Sequence, residues 1–154
     1  MKRILTVFLL IISTLLLTSC GEDFSHCELS LPLSSDYRRV DGGKGFDAVF
    51  TNGEAIAGMI RISFIAGFNQ GIQETMSSYE FAEFWKNKIG RDAKVMTDIK
   101  TPYYTYREDG YFYLCGFYRT PDAYFVVLLS CGLEFEDGYT ENFKEILDGA
   151  KIIY

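Results

Sequence analysis

A chain of 154 residues with a formal charge of −6 has the size of one domain around one substantial core. The acidic balance argues against nucleic acid, whose binding is driven by lysine and arginine neutralising phosphates. Aromatic residues at 16% and only three prolines leave no room for a disordered or low-complexity body.

Met1-Lys2-Arg3 precedes an uncharged run, Ile4 to Leu17, in which Thr6, Ser13 and Thr14 are the only polar members. This is the pattern of a secretory signal, and it is shorter than the roughly twenty apolar residues needed to cross a bilayer. Leu17-Thr18-Ser19-Cys20 closes the run and resembles a bacterial lipobox. That resemblance implies cleavage before Cys20, lipidation of its thiol, and an anchor from which release is negligible. The expected division is a signal peptide over 1–19, a lipidated tether over 20–25, and a single domain over 26–154. Removing 1–19 takes away two cations, Lys2 and Arg3, and no acid, so −6 becomes −8. Lipid rather than charge is therefore expected to hold the protein at the extracytoplasmic face of a cell membrane or outer membrane.

Cys27 to Leu33 alternates up to Pro32, which predicts a first strand near a sheet edge. Asp41-Gly42-Gly43-Lys44-Gly45 reads as a turn; as a phosphate loop it lacks the required spacing and a following helix. A strand over Phe46 to Phe50 meets Asn52-Gly53, the dipeptide of a type I′ hairpin, and a partner strand follows over Ala55 to Phe64. The connection from Ala66 to Met76 carries Gly67 and Gly71 and the apolar residues Phe68, Ile72 and Met76. Apolar residues on such a hinge pack on the domain or on a partner, so these three form a candidate partner-binding loop. Ser77 and Glu80 have the form of a capping box, and Phe81, Phe84, Trp85, Lys88 and Ile89 recur at helical spacing before a stop at Gly90.

Three strands in a meander come next, over Ala93 to Arg107, Tyr111 to Tyr118 and Ala123 to Leu133. With Asp109-Gly110 as a two-residue loop and Thr120 to Asp122 as a three-residue one, Tyr106 faces Tyr113, Tyr104 faces Cys115, and Cys115 faces Val127. Both faces come out apolar, so both are expected to be covered. Thr140 is placed as the cap of a last helix with Phe143, Ile146, Leu147 and Ala150 on one stripe, and Ile152-Ile153-Tyr154 closes the chain. The fold class expected is α+β, an antiparallel sheet with a helix on each face. In this register Cys131 lies about 13 Å along the strand from the position opposite Cys115, beyond disulfide reach. Any bridge among Cys27, Cys115 and Cys131 then involves Cys27.

Glu28-Leu29-Ser30-Leu31-Pro32, Ser78-Tyr79-Glu80-Phe81-Ala82 and Phe143-Lys144-Glu145-Ile146-Leu147, in this order of elements, resemble the PsbP-like and DcrB-like α/β/α sandwich shared with Ran-binding Mog proteins. The resemblance covers about 26–154. It implies a binding or accessory module, since members chiefly bind other proteins and several are bacterial lipoproteins, and it carries over no functional residue.

The residues themselves offer little chemistry. His26 is the sole histidine, which removes histidine-based nucleophilic catalysis and leaves Cys27 and Glu28 short of a metal site. Glu134, Glu136, Asp137 and Glu108-Asp109 read as solvated acids. No enzyme activity, cofactor or metal is expected. The tyrosines are the remaining feature: Tyr104, Tyr106 and Tyr113 form a ring-lined surface for a protein or glycan if uncovered, or simply good strand formers if not. The function expected is that of a lipid-anchored, non-enzymatic module binding another envelope protein, the alternative being a small-molecule or glycan binder.

Overall fold

A computed structural model describes residues 27–41, 43 and 45–153; the signal segment, Cys20 and the tether lie outside them. Among these residues no helix is long and apolar enough to cross a membrane.

The described chain forms strands β1 (Glu28–Ser30), β2 (Arg38–Arg39), β3 (Ala48–Thr51) and β4 (Ala55–Ser63), a short helix α1 (Phe64–Phe68), helix α2 (Ser78–Lys88), strands β5 (Tyr103–Glu108), β6 (Tyr111–Arg119) and β7 (Ala123–Gly132), helix α3 (Glu136–Asp148) and strand β8 (Lys151–Ile153). A six-stranded antiparallel sheet has the order β2-β3-β4-β7-β6-β5. The expected first strand, β1, does not join it; Pro32 stops β1 after three residues, and it pairs instead with β8 as a separate ribbon.

The turns set the registers, and they account for where expectation and structure part. At Asp109-Gly110 both residues have positive φ, 51° and 82°, as a type I′ turn demands. Tyr106 then faces Tyr113 and Tyr104 faces Cys115, as expected. At the next turn Thr120 closes the loop itself: its N–H donates to the Ala123 carbonyl at 2.8 Å, and its hydroxyl accepts the Ala123 N–H at 3.0 Å. The loop is therefore two residues, Pro121-Asp122, rather than three, and Cys115 faces Leu128, not Val127. A one-residue slip turns a whole strand over. Phe125, Val127, Leu129 and Cys131 consequently share a face with Phe112 and Leu114, while Tyr124, Val126 and Leu128 lie with Tyr104, Tyr113 and Cys115. Cys115 and Cys131 thus belong to different clusters, and all three described cysteines are unbridged.

The β3–β4 hairpin differs more mildly. Its loop is Gly53-Glu54, with Asn52 paired to Ala55 and its Oδ1 accepting the Glu54 and Ala55 N–H groups. Gly53 has φ +97° and Asn52 stays out of the left-handed region, so positive φ falls on the first loop residue only, as in type II′ rather than type I′ turns. A shift of two residues leaves the faces unchanged.

Helix α2 begins as its capping box predicts: Ser77 Oγ accepts the Glu80 N–H while Glu80 returns to the Ser77 N–H. Phe81, Ala82 and Trp85 drop into the cluster of Tyr104, Cys115, Phe117 and Tyr124. Phe81 stacks on Tyr124 at 4.3 Å and meets Phe117 edge-on at 5.7 Å. Helix α3 starts at Glu136, four residues before the expected cap; Thr140 is inside it and donates to the Glu136 carbonyl. A 3₁₀ turn at Leu133–Phe135 leads directly into it. Phe143, Ile146 and Leu147 complete the second cluster, and Gly116 in β6 admits Leu147 so closely that a Cβ there would lie 2.6 Å from two of its methyl carbons.

Candidate functional site

The tyrosine strands are interior. Tyr104 and Tyr113 are buried and Tyr106 is half-buried, so they form no exposed platform. Tyr106 stacks on Tyr113 at 4.6 Å with the rings nearly parallel, and the Arg91 guanidinium covers Tyr106 at 4.4 Å. Arg91 is held there by two bonds to Glu108, 2.7 and 2.6 Å. These hydrogen bonds raise the Arg91 pKa and hold the Glu108 carboxyl below its usual range. Burial pushes the Tyr113 hydroxyl up to about 12 and moves those of Tyr104 and Tyr106 higher still. The same burial lifts the Cys115 thiol to about 12, which keeps it protonated and inert at neutral pH. These rings and the thiol pack against one another in the core.

The loop singled out by its apolar residues divides. Its first part is helix α1, capped by Ser63, whose hydroxyl accepts the Ala66 N–H at 3.2 Å. Ile72 is 1% exposed and belongs to the core with Ile62 and Phe81, so it is no surface residue. Its N–H donates to the Gly67 carbonyl at 3.0 Å, and a Cβ at Gly67 would come within 3.1 Å of it. Met76 is half-buried against the same cluster. Phe68 alone of the three stands out, at 77% exposure, and beside it Ile65 reaches 82%. Phe64 anchors the helix, its ring 5.1 Å from Tyr124 and under the Arg119 guanidinium at 5.6 Å. Arg119 in turn donates to the Glu74 carbonyl, and Lys88 Nζ to the Gln70 carbonyl at 3.3 Å. Two apolar side chains are therefore carried into solvent on a base fixed from both sides.

Ile65 was hidden in the sequence because the alternation of β4 runs straight into it. Ser63 three residues before Ala66 is the signal that could have ended the strand there, since serine accepts an N–H at a helix start. Leu133, expected as the last residue of a strand, and Phe135 lie instead in the 3₁₀ turn after β7 and are 40% and 37% exposed. They sit at the opposite end of the β4–β7 ladder from α1, because Ser63 pairs with Ala123 while Ala55 pairs with Cys131.

Cys27, the first described residue, is buried; desolvation and then the nearby Asp122 carboxylate raise its thiol pKa. Asp122 also accepts the Phe64 N–H through its carbonyl at 3.2 Å and pairs with Arg61 at 2.5 Å. The surface clefts are open. One of about 350 Å³ lies between the β1–β8 ribbon and the sheet, lined by Leu29, Leu31, Tyr37, Phe50, Met59 and Ile153 among others. Another of about 520 Å³ runs along α3, with Asp98, Glu141, Glu145 and Asp148 around Lys144. Glu136, one of the acids after β7, is held by Arg107.

No protein-family model and no curated protein matches the chain. Among solved structures it is similar to a crystal structure from Bacteroides thetaiotaomicron VPI-5482, with TM-score 0.54 and 14% identity over 82% of this chain and 45% of that one. It is also similar to the solution structure of cyanobacterial PsbP (CyanoP) from Synechocystis sp. PCC 6803, with TM-score 0.50 and 14% identity over 89% of this chain and 99% of that one. The chain thus spans less than half the length of the Bacteroides protein and matches nearly all of the cyanobacterial one. At such identity the likeness is one of architecture, and the mixed α/β fold is PsbP-like.

Proposed function

We propose that this chain is a lipid-anchored extracytoplasmic module of the cell envelope, held by an acyl group on Cys20, that works by binding rather than by chemistry. The domain has α/β/α layering of PsbP type, and its partner is another envelope protein. The observation that carries this reading is the contrast between a sealed aromatic interior and apolar side chains left in solvent at both ends of the β4–β7 ladder, Ile65 and Phe68 at one and Leu133 and Phe135 at the other. Exposed apolar side chains on fixed backbone are what contact surfaces are made of.

The test has two arms. Cells fed a labelled fatty acid incorporate it into the native protein and not into Cys20→Ser. A photo-crosslinking phenylalanine analogue at position 68 or 135 in the intact envelope joins the protein to one defined protein. No label, or no protein adduct from either position, overturns the corresponding half. The second reading, a small apolar ligand, is favoured by the cleft at Leu29, Tyr37, Phe50 and Met59, whose volume lies at the low end of ligand pockets. It predicts that a molecule retained through native purification is lost in Met59→Trp.

A further inference from the structure

We infer that Ile65 and Phe68 rest in the lipid surface, as a second membrane contact beside the anchor; the inference depends on lipidation of Cys20 and not on the identity of a protein partner. One residue, Asp122, touches both the entry of the chain into the domain at Cys27 and the start of α1 at Phe64. The tether therefore leaves from the end of the molecule that carries α1. From Cys20 to Cys27 is seven residue steps, a reach of at most about 25 Å when fully extended. The nine paired residues of the β4–β7 ladder are themselves about as long as that reach. Tethering at this end holds α1 close to the headgroups and keeps Leu133 and Phe135 away from them.

The segment suits that position. Residues 62–73 contain no charged side chain, so lowering them into the headgroup region strips water from no ion. The uncharged stretches 112–118 and 123–132 lie in strands β6 and β7 and are buried in the core. Arg119 and Lys88 stand at the rim, over Phe64 and beside Gln70, where cations on long stems meet lipid phosphates. Two exposed side chains are also small against the roughly 800 Å² that each partner buries in a stable protein interface.

The test uses the full lipidated chain, extracted from membranes and reconstituted in vesicles of phosphatidylethanolamine and phosphatidylglycerol with brominated acyl chains. Phe68→Trp and Phe135→Trp each add an indole to that of Trp85, which is buried and shielded. Flotation with the vesicles and loss of the added emission in Phe68→Trp but not in Phe135→Trp is the expected result. Flotation without quenching of Phe68→Trp, or equal quenching of both variants, overturns the lipid contact and leaves the anchor standing. Failure to float overturns both. A crosslink from position 68 to a second copy of the chain or to an envelope protein, in place of lipid, also overturns it.

Discussion

Strands β5 and β6 carry six tyrosines between Tyr103 and Tyr118, and α1 packs Phe64, Ile65 and Phe68 into five residues. Both stretches are aromatic, and Tyr104, Tyr106, Tyr111 and Tyr113 of the first lie, like Phe64 of the second, on the side of the sheet that holds Tyr124. Their fates differ because of what lies over them. Helix α2 lowers Phe81 and Trp85 onto one, and Arg91, fixed by Glu108, closes its rim. Over α1 no described element is laid, and only Phe64 and Gly67 turn inward. Aromatic content marks a surface that needs covering; whether another element of the chain packs over it decides whether the cover is the protein itself.

That difference can be broken most severely by removing the cover. Phe81→Ala deletes a fully buried ring stacked on Tyr124 and should cost about 3–5 kcal/mol, read as a drop in the urea midpoint and as uncovered tyrosine fluorescence. On the opposite face Gly116→Ala drives a methyl group into Leu147, an overpacking worth about 1–3 kcal/mol, measured the same way. Ser77→Ala strips the capping box from α2 and should lose about 1 kcal/mol.

The Arg91 clamp gives a smaller effect that depends on pH. Glu108 has its pKa depressed by hydrogen bonds from Arg91, so its stabilisation is complete above the ordinary glutamate value of about 4.3 and disappears as pH falls through the lower folded value. Native protein and Glu108→Gln should therefore differ in Tm at pH 7, and the gap should narrow as pH falls below the ordinary glutamate value; an unchanged gap at the acid end would show that the clamp works by packing alone. Smallest of all, Ile65→Ser with Phe68→Ser should move stability by no more than about 0.5 kcal/mol. A loss comparable to that of Phe81→Ala would mean that α1 is core.

Much of this was legible along the chain. The capping box placed α2, Asp109-Gly110 fixed the β5–β6 register, and the Phe143, Ile146, Leu147 stripe placed α3 on the sheet. What was not legible turned on single side chains acting as backbone partners. Thr120 replaces a carbonyl with its hydroxyl at the β6–β7 turn, shortening the loop by one residue and turning β7 over. Asn52 does the same with its amide oxygen and moves the β3–β4 loop. Pairing of β1 with β8 joins segments more than a hundred residues apart, which no local pattern reports. For the candidate surface, alternation could not separate Ile72 from Phe68, because which apolar residue of a hinge turns inward is settled by Gly67 letting Ile72 approach.

The β1–β8 ribbon has a mechanical meaning if the protein is pulled by its lipid. It holds three residue pairs and stands apart from the six-stranded sheet, and β1 follows Cys27 at once. With such an anchor, tension would pass through buried Cys27 and its contact with Asp122 and then into this short ribbon. It should peel open at low force, letting out slack between membrane and domain while the main sheet keeps its shape.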